Sequence, residues 1–157
     1  MGRIRIRTTI DAPPARVWDR LADIADHVSW MADAAAIRFT GDRRAGVGTT
    51  FECETRIGPL RTTDLMEVTE WRERRAMGVR HVGLFTGTGR FLLRRARRGR
   101  TRLTWDEDLR FPWWLGGPVG AVVAAPVLRA VWRGNLRRLA ALVTGDGTAP
   151  GAGRLRV

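Results

Sequence analysis

Lysine and tyrosine are absent from this chain, cysteine occurs once, as Cys53, and histidine occurs twice. A single thiol excludes an internal disulfide framework and a cysteine-rich zinc site. The two histidines, His27 and His81, are far apart in sequence and show no metal-ligand spacing, so we expect no metal and no cofactor. The absence of tyrosine removes one common proton donor from any catalytic scheme.

Arginine alone supplies the basic charge of the chain. The 28 basic side chains against 16 acidic ones give a net charge of +12. Such a charge favours an anionic partner, for instance nucleic acid or an acidic lipid surface. The exclusive use of arginine, together with abundant alanine and glycine, instead indicates coding bias. Because net charge alone speaks mainly to solubility and non-specific association, we give it little weight as evidence of function.

The sequence also lacks a targeting segment and an uninterrupted apolar span. Residues 1–14 contain no apolar core typical of a signal peptide, so we expect a reducing, cytoplasmic location. Residues 111–128 carry no charge, but prolines, glycines and alanines interrupt them, which argues against a transmembrane helix. The length of 157 residues suits a single domain over 1–144, followed by a flexible, glycine-rich tail over 145–157.

Alternation of apolar and polar residues predicts seven strands. In the first, Ile4, Ile6 and Ile10 share one face and the intervening arginines share the other. The predicted strands cover residues 3–10, 36–41, 49–57, 61–71, 76–83, 86–96 and 101–111. Short turns between the later strands predict an antiparallel meander.

Helical periodicity flanks the strand-rich region. Residues 15–25 and 26–31 predict two short helices, the first with one apolar face. A long C-terminal helix is predicted from Pro118, with a kink or a restart at Pro126. Its predicted inward residues are Val127, Val131, Leu136, Leu139 and Val143, opposite an outer stripe of Arg129, Arg133 and Arg137.

The order of these elements predicts an α+β fold. A meander of this length has one wet face, and the long C-terminal helix is the element able to cover the other. We therefore predict a seven-stranded curved antiparallel sheet wrapped around that helix, with two short helices after the first strand. A strongly bent sheet over one helix leaves space between the two, and small ligands often bind in such spaces.

Several segments carry a resemblance to a known superfamily. They are Ile10-Asp-Ala-Pro-Pro-Ala-Arg-Val-Trp18, Asp26-His-Val-Ser-Trp30, Gly46-Val-Gly48, Met66-Glu-Val-Thr-Glu-Trp71, Gly87-Thr-Gly-Arg-Phe91, Gly99-Arg-Thr-Arg-Leu-Thr-Trp105 and the arginine-rich closing helix. In their order and spacing the chain resembles, from Ile4 to Val143, the START-like or SRPBCC superfamily, particularly bacterial polyketide cyclase/dehydrase and lipid-transport proteins. The resemblance implies a START-like helix-grip domain, a cavity between helix and sheet, and binding of hydrophobic small molecules. It implies no single chemistry, because the superfamily includes carriers, cyclases, hydrolases and regulatory binders.

Two polar residues interrupt apolar strand faces and are the leading candidates for a functional role. His81 shares its face with Met77 and Val79, so it can hydrogen-bond a ligand or act as an acid or base near neutral pH. Glu107 lies in register with Trp105, where a carboxylate needs a partner because burying it alone is costly. The alternatives are a histidine bonded to backbone or placed at the sheet edge, and a β-bulge that turns Glu107 outward.

Apolar residues on the predicted inner faces complete the candidate site. The cavity is predicted to be lined by Phe51, Cys53, Met66, Met77, Val79, His81, Phe91, Trp105, Glu107, Val122 and Val123, and its mouth by Trp30, Trp113 and Trp114. Cys53 is expected to pack as a small apolar residue, because no histidine–carboxylate arrangement marks it as a nucleophile. For Trp113 and Trp114, packing against the long helix and a membrane-touching wedge are alternatives to the mouth. Arg90 and Asp64 are weaker polar candidates whose facing the sequence leaves open.

The sequence thus predicts binding, or transport, of a hydrophobic small molecule, lipid or polyketide-like, whose polar group His81 and Glu107 orient. The alternative is a polyketide cyclase/dehydrase-type enzyme with the same residues as acid and base, although no catalytic constellation is identifiable. A second alternative is an arginine-rich binder of anionic membrane or nucleic acid, since residues 94–102 contain six arginines. Nucleic acid is disfavoured, because that run holds no aromatic residue for base stacking. Monomer and homodimer both stay open.

Overall fold

Seven strands form one antiparallel sheet in the computed structural model of the chain, which describes residues 2–145. They are β1 (Gly2–Ile10), β2 (Ala34–Phe39), β3 (Thr50–Ile57), β4 (Leu60–Arg72), β5 (Ala76–Val82), β6 (Thr86–Arg95) and β7 (Thr101–Arg110). The order across the sheet is β1-β7-β6-β5-β4-β3-β2, so β2 to β7 form a meander and β1 pairs with β7 at the far edge. The predicted antiparallel meander is confirmed.

The helices also lie where the sequence predicts them. After β1 come α1 (Pro14–Ala22) and α2 (His27–Trp30), the second preceded by a single 3-10 turn, Ile24–Asp26. The long helix is α3 (Gly117–Gly145). The α+β helix-grip fold with two short helices after β1 is therefore confirmed, and the predicted tail lies, beyond Gly145, outside the described residues.

The long helix α3 runs without a break through Pro126, so the predicted restart does not occur. Proline removes the hydrogen bond that its N–H would give to the carbonyl of Val122, four residues earlier. Val122 and Pro126 are both exposed, so water can satisfy that carbonyl. No helix among residues 2–145, α3 included, is long and apolar enough to cross a membrane.

The inward stripe of α3 begins one residue later than the sequence predicts. Val127 is exposed and Val131 is half-buried against the core, so these two predicted inward residues lie at the edge of the buried stripe. The buried residues instead follow the helical repeat from Leu128 and are Leu128, Trp132, Asn135, Leu136, Leu139 and Val143. The correction has a simple cause: one residue turns a side chain by about 100° around a helix, which moves it from the inside to the rim.

The core occupies the side of the sheet that holds β1 and β7. There the C-terminal half of α3 packs against β1 and α1, with Leu103, Leu136 and Leu139 completely or almost completely buried. The indole rings of Trp105 on β7 and Trp132 on α3 stack with centroids 5.2 Å apart. This anchors the second half of the helix against the sheet. The first half of α3 packs less closely against the sheet.

A buried polar network fixes α3 to the segment between α2 and β2. Asn135 is fully buried; its Oδ1 accepts hydrogen bonds from the backbone N–H of Ala32 (3.0 Å) and from Nη2 of Arg138 (2.5 Å). Its Nδ2 donates to Oδ1 of Asp33 (2.6 Å), whose second oxygen accepts from Nε1 of Trp132 (3.2 Å). The network holds α3 at a set distance from the sheet and thereby defines the space beside it.

Candidate ligand cavity

A cavity of about 210 Å³ lies between the inner face of the sheet and the first half of α3. Its walls come from strands β2 to β7, from α3 and from the segment around α2. The lining is mostly apolar and aromatic, which is typical of small-molecule sites. The volume is below the roughly 300–1,000 Å³ of sites for drug-sized ligands, so a compact ligand fits best.

Most of the residues predicted for the cavity line it. The structure places Phe51, Cys53, Met66, Met77, Val79, His81, Phe91, Trp105 and Glu107 in its walls. Val122 and Val123 are 66% and 73% exposed and do not line it, so their assignment is corrected. The wall that α3 contributes consists of Ala124, Val127, Leu128 and Trp132, and Val122 and Val123 lie on other faces of the helix.

The predicted mouth is also corrected. Trp30 is completely buried and packs edge-on against Phe91 and Trp105, with ring centroids 6.1 and 6.3 Å away. Trp113 and Trp114 are exposed and do not line the cavity, because their 3-10 turn precedes α3 on its outer side. The solvent-exposed lining residues Leu60 and Val127 mark the opening instead.

His81 and Glu107 meet inside the cavity, across three neighbouring strands. His81 Nε2 lies 3.1 Å from Glu107 Oε2, and Trp105 Nε1 donates to Glu107 Oε1 at 2.7 Å. Glu107 is buried, at 5% exposure, and both of its oxygens have partners. The β-bulge alternative, in which Glu107 turns outward, is therefore wrong in this structure.

A missing side chain makes room for Glu107. Gly89 on β6 lies directly opposite Glu107 in the β6–β7 register. A Cβ atom at Gly89 would come within 2.3 Å of Glu107 Oε1. Any larger residue at position 89 would thus push the carboxylate away from His81. This gives a physical reason for the glycine in the Gly87-Thr-Gly-Arg-Phe91 segment.

Asp64 is a second buried carboxylate in the same cavity. It is 5% exposed, and it accepts hydrogen bonds from Thr62 Oγ1 (3.0 Å) and from the backbone N–H of Leu84 (2.7 Å). Gly83 leaves it room, since a Cβ there would lie 2.0 Å from Asp64 Oδ1. Arg90 behaves differently. It lies outside the cavity lining and pairs with Glu70, its Nε 2.6 Å from Glu70 Oε2.

The environments of the two histidines shift their pKa values in opposite directions. At His81, burial opposes protonation, but the hydrogen bond and negative charge of Glu107, aided by Asp64, outweigh it and raise the pKa. At His27, burial dominates and lowers the pKa, while the ring nitrogen Nε2 lies 2.8 Å from the carbonyl of Leu21. Of the two, His81 is therefore the histidine that binds a proton more readily.

The two histidines are expected to give opposite pH dependences of stability. The unfolded chain takes up a proton at His27 as pH falls through about 6.5 and the folded chain does not, so this site costs stability in acid. His81 binds its proton more tightly in the folded chain than in the unfolded chain. Its contribution to the free energy of unfolding is therefore complete below about pH 6.5 and is lost as pH rises through its raised pKa. Differences between wild type and a single variant cancel the titrations of groups that do not interact with the replaced histidine.

Urea unfolding between about pH 5 and 8 checks this expectation with His27→Gln and His81→Gln. The stability advantage of wild type over His81→Gln should shrink as pH rises. Its advantage over His27→Gln should shrink as pH falls. Advantages that stay constant across the range would contradict the assignment.

Cys53 is chemically quiet in this site. Burial, more than any other effect, raises the pKa of its thiol to about 11. Its Sγ lies 3.9 Å from Thr55 Oγ1, and no histidine contacts it among the described residues. The thiol is therefore protonated at neutral pH, which agrees with the expectation that Cys53 is no nucleophile.

Sequence reasoning missed several lining residues, above all Asp33, His27 and the pair Phe85 and Phe111. The rings of Phe85 and Phe111 pack with centroids 4.8 Å apart in the cavity wall. All of them lie in loops, short helical turns or at strand ends, where periodicity carries no signal. Within residues 2–145 no group of three or more His, Cys, Asp or Glu side chains could hold a metal ion.

The family model for "Polyketide cyclase / dehydrase and lipid transport" matches residues 1–144. The chain belongs to this family. No protein of curated function matches it in sequence. Similar solved structures include the ZhuI aromatase/cyclase of a Streptomyces species, with 17% identity, a TM-score of 0.76, and coverage of 96% of this chain and 98% of that one.

Two further solved structures share the fold. The di-domain aromatase/cyclase StfQ of the steffimycin biosynthetic pathway has 14% identity and a TM-score of 0.77, with coverage of 93% of this chain and 51% of that one. A Thermus thermophilus protein has 16% identity and a TM-score of 0.76, with coverage of 93% of this chain and 99% of that one. At these identities the likeness establishes the fold alone, whereas the family-model match over residues 1–144 confirms the predicted superfamily.

Proposed function

We propose that this protein binds a small, mostly apolar molecule in the cavity between the sheet and α3. The observation that carries the proposal is a buried polar pair, His81 and Glu107, in an otherwise largely apolar cavity. Apolar contacts with residues such as Phe51, Met66 and Val79 would supply affinity by removing ligand surface from water. The polar pair would orient one polar group of the ligand.

The test is whether purified protein carries or takes up such a molecule. Native mass spectrometry followed by solvent extraction should detect a bound apolar compound, or isothermal titration calorimetry should detect uptake of 1-naphthalenemethanol, a compact neutral probe. Absence of any extracted compound, together with no binding of the probe, would overturn the proposal.

A second candidate function is catalysis of a cyclisation or dehydration in the same cavity. His81 and Glu107 lie 3.1 Å apart and can pass a proton to or from a bound substrate, and two structural neighbours are aromatase/cyclases. An enzyme of this kind would lose turnover of a poly-β-ketone mimic in Glu107→Gln while retaining most of its affinity. A simple binder would show no turnover in the wild type.

A further inference from the structure

The charges that line the cavity are opposite in sign to those of the whole chain. The chain has 28 arginines and a net charge of +12, yet among residues 2–145 no arginine lines the cavity. Three carboxylates do, from Asp33, Asp64 and Glu107. Of the two histidines that line the cavity, His81 has a raised pKa and His27 a lowered one. The lining is therefore acidic in composition, and among the described residues its basic groups are the two histidines.

Two of these carboxylates, Asp64 and Glu107, retain unused acceptor capacity. The oxygens of Asp64 and Glu107 each have one hydrogen-bond partner within the protein, whereas a carboxylate offers about four acceptor positions. Both groups share a sheet face with His81 on β5: Asp64 lies on the adjacent strand β4, and Glu107 lies on β7, with β6 in between. An ammonium group has three donors and no acceptor, so it matches unused carboxylate positions. A ligand carboxylate would meet repulsion and would find no arginine to pair with.

From this lining, and resting on the proposed function, we infer that the preferred ligand is an apolar amine. Its compact hydrophobic body fills the cavity, and its ammonium group lies among Asp64, His81 and Glu107. Anionic amphiphiles such as fatty acids are excluded by the same charges. The ligand class thus follows from the cavity lining and not from the basic surface of the protein.

Three probes with one naphthalene body test the inference: 1-naphthylmethylamine, 1-naphthalenemethanol and 1-naphthoic acid. Calorimetric titration at about 0.15 M salt limits surface effects. We expect the amine to bind about tenfold tighter than the alcohol, the scale of a charge-assisted hydrogen bond, and the acid to bind weaker than both. Glu107→Gln and Asp64→Asn should each reduce the preference for the amine over the alcohol. Glu73→Gln, which removes an exposed carboxylate in a turn, should leave that preference unchanged.

The outcomes separate this inference from the proposed function. Binding of the alcohol with no preference for the amine, or tighter binding of the acid, would overturn the amine inference and leave the cavity as a binding site. Failure of all three probes to bind, with no compound extracted, would overturn both. Val79→Phe closes the cavity, so any binding of the acid to this variant would be adsorption on the basic surface. Only the binding of the acid that Val79→Phe abolishes would be compared with binding of the amine and the alcohol.

A separate observation concerns the outer side of α3. Six large apolar residues there are more than half exposed, and we call them the outer apolar face; they are Trp113, Trp114, Val119, Val122, Val123 and Val127. Isolated exposed apolar residues are ordinary, but a contiguous set marks an interaction surface. Val127 also lines the cavity, so the outer apolar face is continuous with the cavity opening.

The charged residues next to the outer apolar face indicate the kind of partner that it would bind. No aspartate or glutamate occurs between Arg110 and Gly145, and the exposed residues Arg129, Arg133 and Arg137 follow the apolar residues along α3. Tryptophan and arginine beside apolar side chains suit the interface of an anionic bilayer. A symmetric pair of chains would oppose identical arginine stripes, which disfavours a second copy. We propose that the outer apolar face rests on an anionic membrane surface, with the cavity opening toward the lipid.

Vesicle co-sedimentation tests this second proposal. The wild type should bind vesicles containing about 30% phosphatidylserine far more tightly than pure phosphatidylcholine vesicles. Joint replacement of Arg129, Arg133 and Arg137 by glutamine should weaken binding by about a hundredfold, since each charge near the surface counts independently. Trp113→Ser should weaken it as well.

The matched control removes three arginines from the β6–β7 hairpin tip, by joint replacement of Arg95, Arg97 and Arg98 with glutamine. These residues are exposed and lie in the run 94–102 that the sequence singled out. An equal loss of vesicle binding in this control would overturn the proposal, because net charge would then explain the effect. No binding to phosphatidylserine vesicles, or a dimer that Trp113→Ser dissociates, would overturn it too.

Discussion

Replacing Asn135 with alanine is expected to destabilise the protein by about 2–4 kcal/mol. Asn135 is fully buried and makes three hydrogen bonds, two of them to the charged side chains of Asp33 and Arg138. Its removal leaves the N–H of Ala32 and the carboxylate of Asp33 short of a partner, in addition to a small void. A polar group that stays buried without a hydrogen-bond partner keeps the unfavourable free energy of its desolvation, which explains the size of the effect.

Urea unfolding at neutral pH measures this loss. Thr144→Ala, near the end of the same helix, is the matched control, because Thr144 is exposed and bonds only to helix carbonyls. We expect the control to change stability by less than about 0.5 kcal/mol. A loss below about 1 kcal/mol in Asn135→Ala would show that the network does not hold α3 in place.

The second large effect is expected on ligand binding. Val79→Phe should lower the affinity for 1-naphthalenemethanol by about tenfold or more, because the added ring occupies space that the probe needs. Val79 lies on the inner face of β5 and lines the cavity. The control variant Val82→Phe enlarges a residue on the same strand that is exposed on the outer face of the sheet. It should leave the affinity nearly unchanged.

Calorimetric titration of both variants, after their folding has been verified by circular dichroism, provides the comparison. The enlargement at Val79 is expected to cost about 1–3 kcal/mol of stability, so the titration is made well below the unfolding temperature. Undiminished binding to Val79→Phe would place the probe outside the cavity. Equal losses in both variants would indicate a general disturbance of β5.

Much of the fold was predictable because it rests on local periodicity. The alternation in Arg3–Ile10 and the short turns between strands suffice for an antiparallel meander with one wet face. Strand parity also placed His81 and Glu107 on inner faces, and the structure brings them together at 3.1 Å. Parity works here because successive side chains in a strand point to opposite sides.

The first half of α3 shows where periodicity fails. Its residues are apolar on nearly every side, so the sequence does not indicate which face is buried. Val122 and Val123 were therefore assigned to the cavity although they are exposed, and Val127 was predicted to lie inward although it is exposed at the cavity opening. The phase of the helix is set further along, where Leu128, Trp132 and Asn135 engage the sheet and the Asp33 segment.

The sequence by itself determined the order of elements and the single curved sheet, because these depend on residues close together in the chain. Strand parity favoured inward-facing His81 and Glu107 but left the β-bulge and sheet-edge alternatives open. The tertiary structure alone decided which residues close the cavity and that Trp30 is core and not mouth. It also decided that, of the residues described, three carboxylates and no arginine line the site. Those facts depend on strands and loops many residues apart, whose relative placement is set by packing of the whole core.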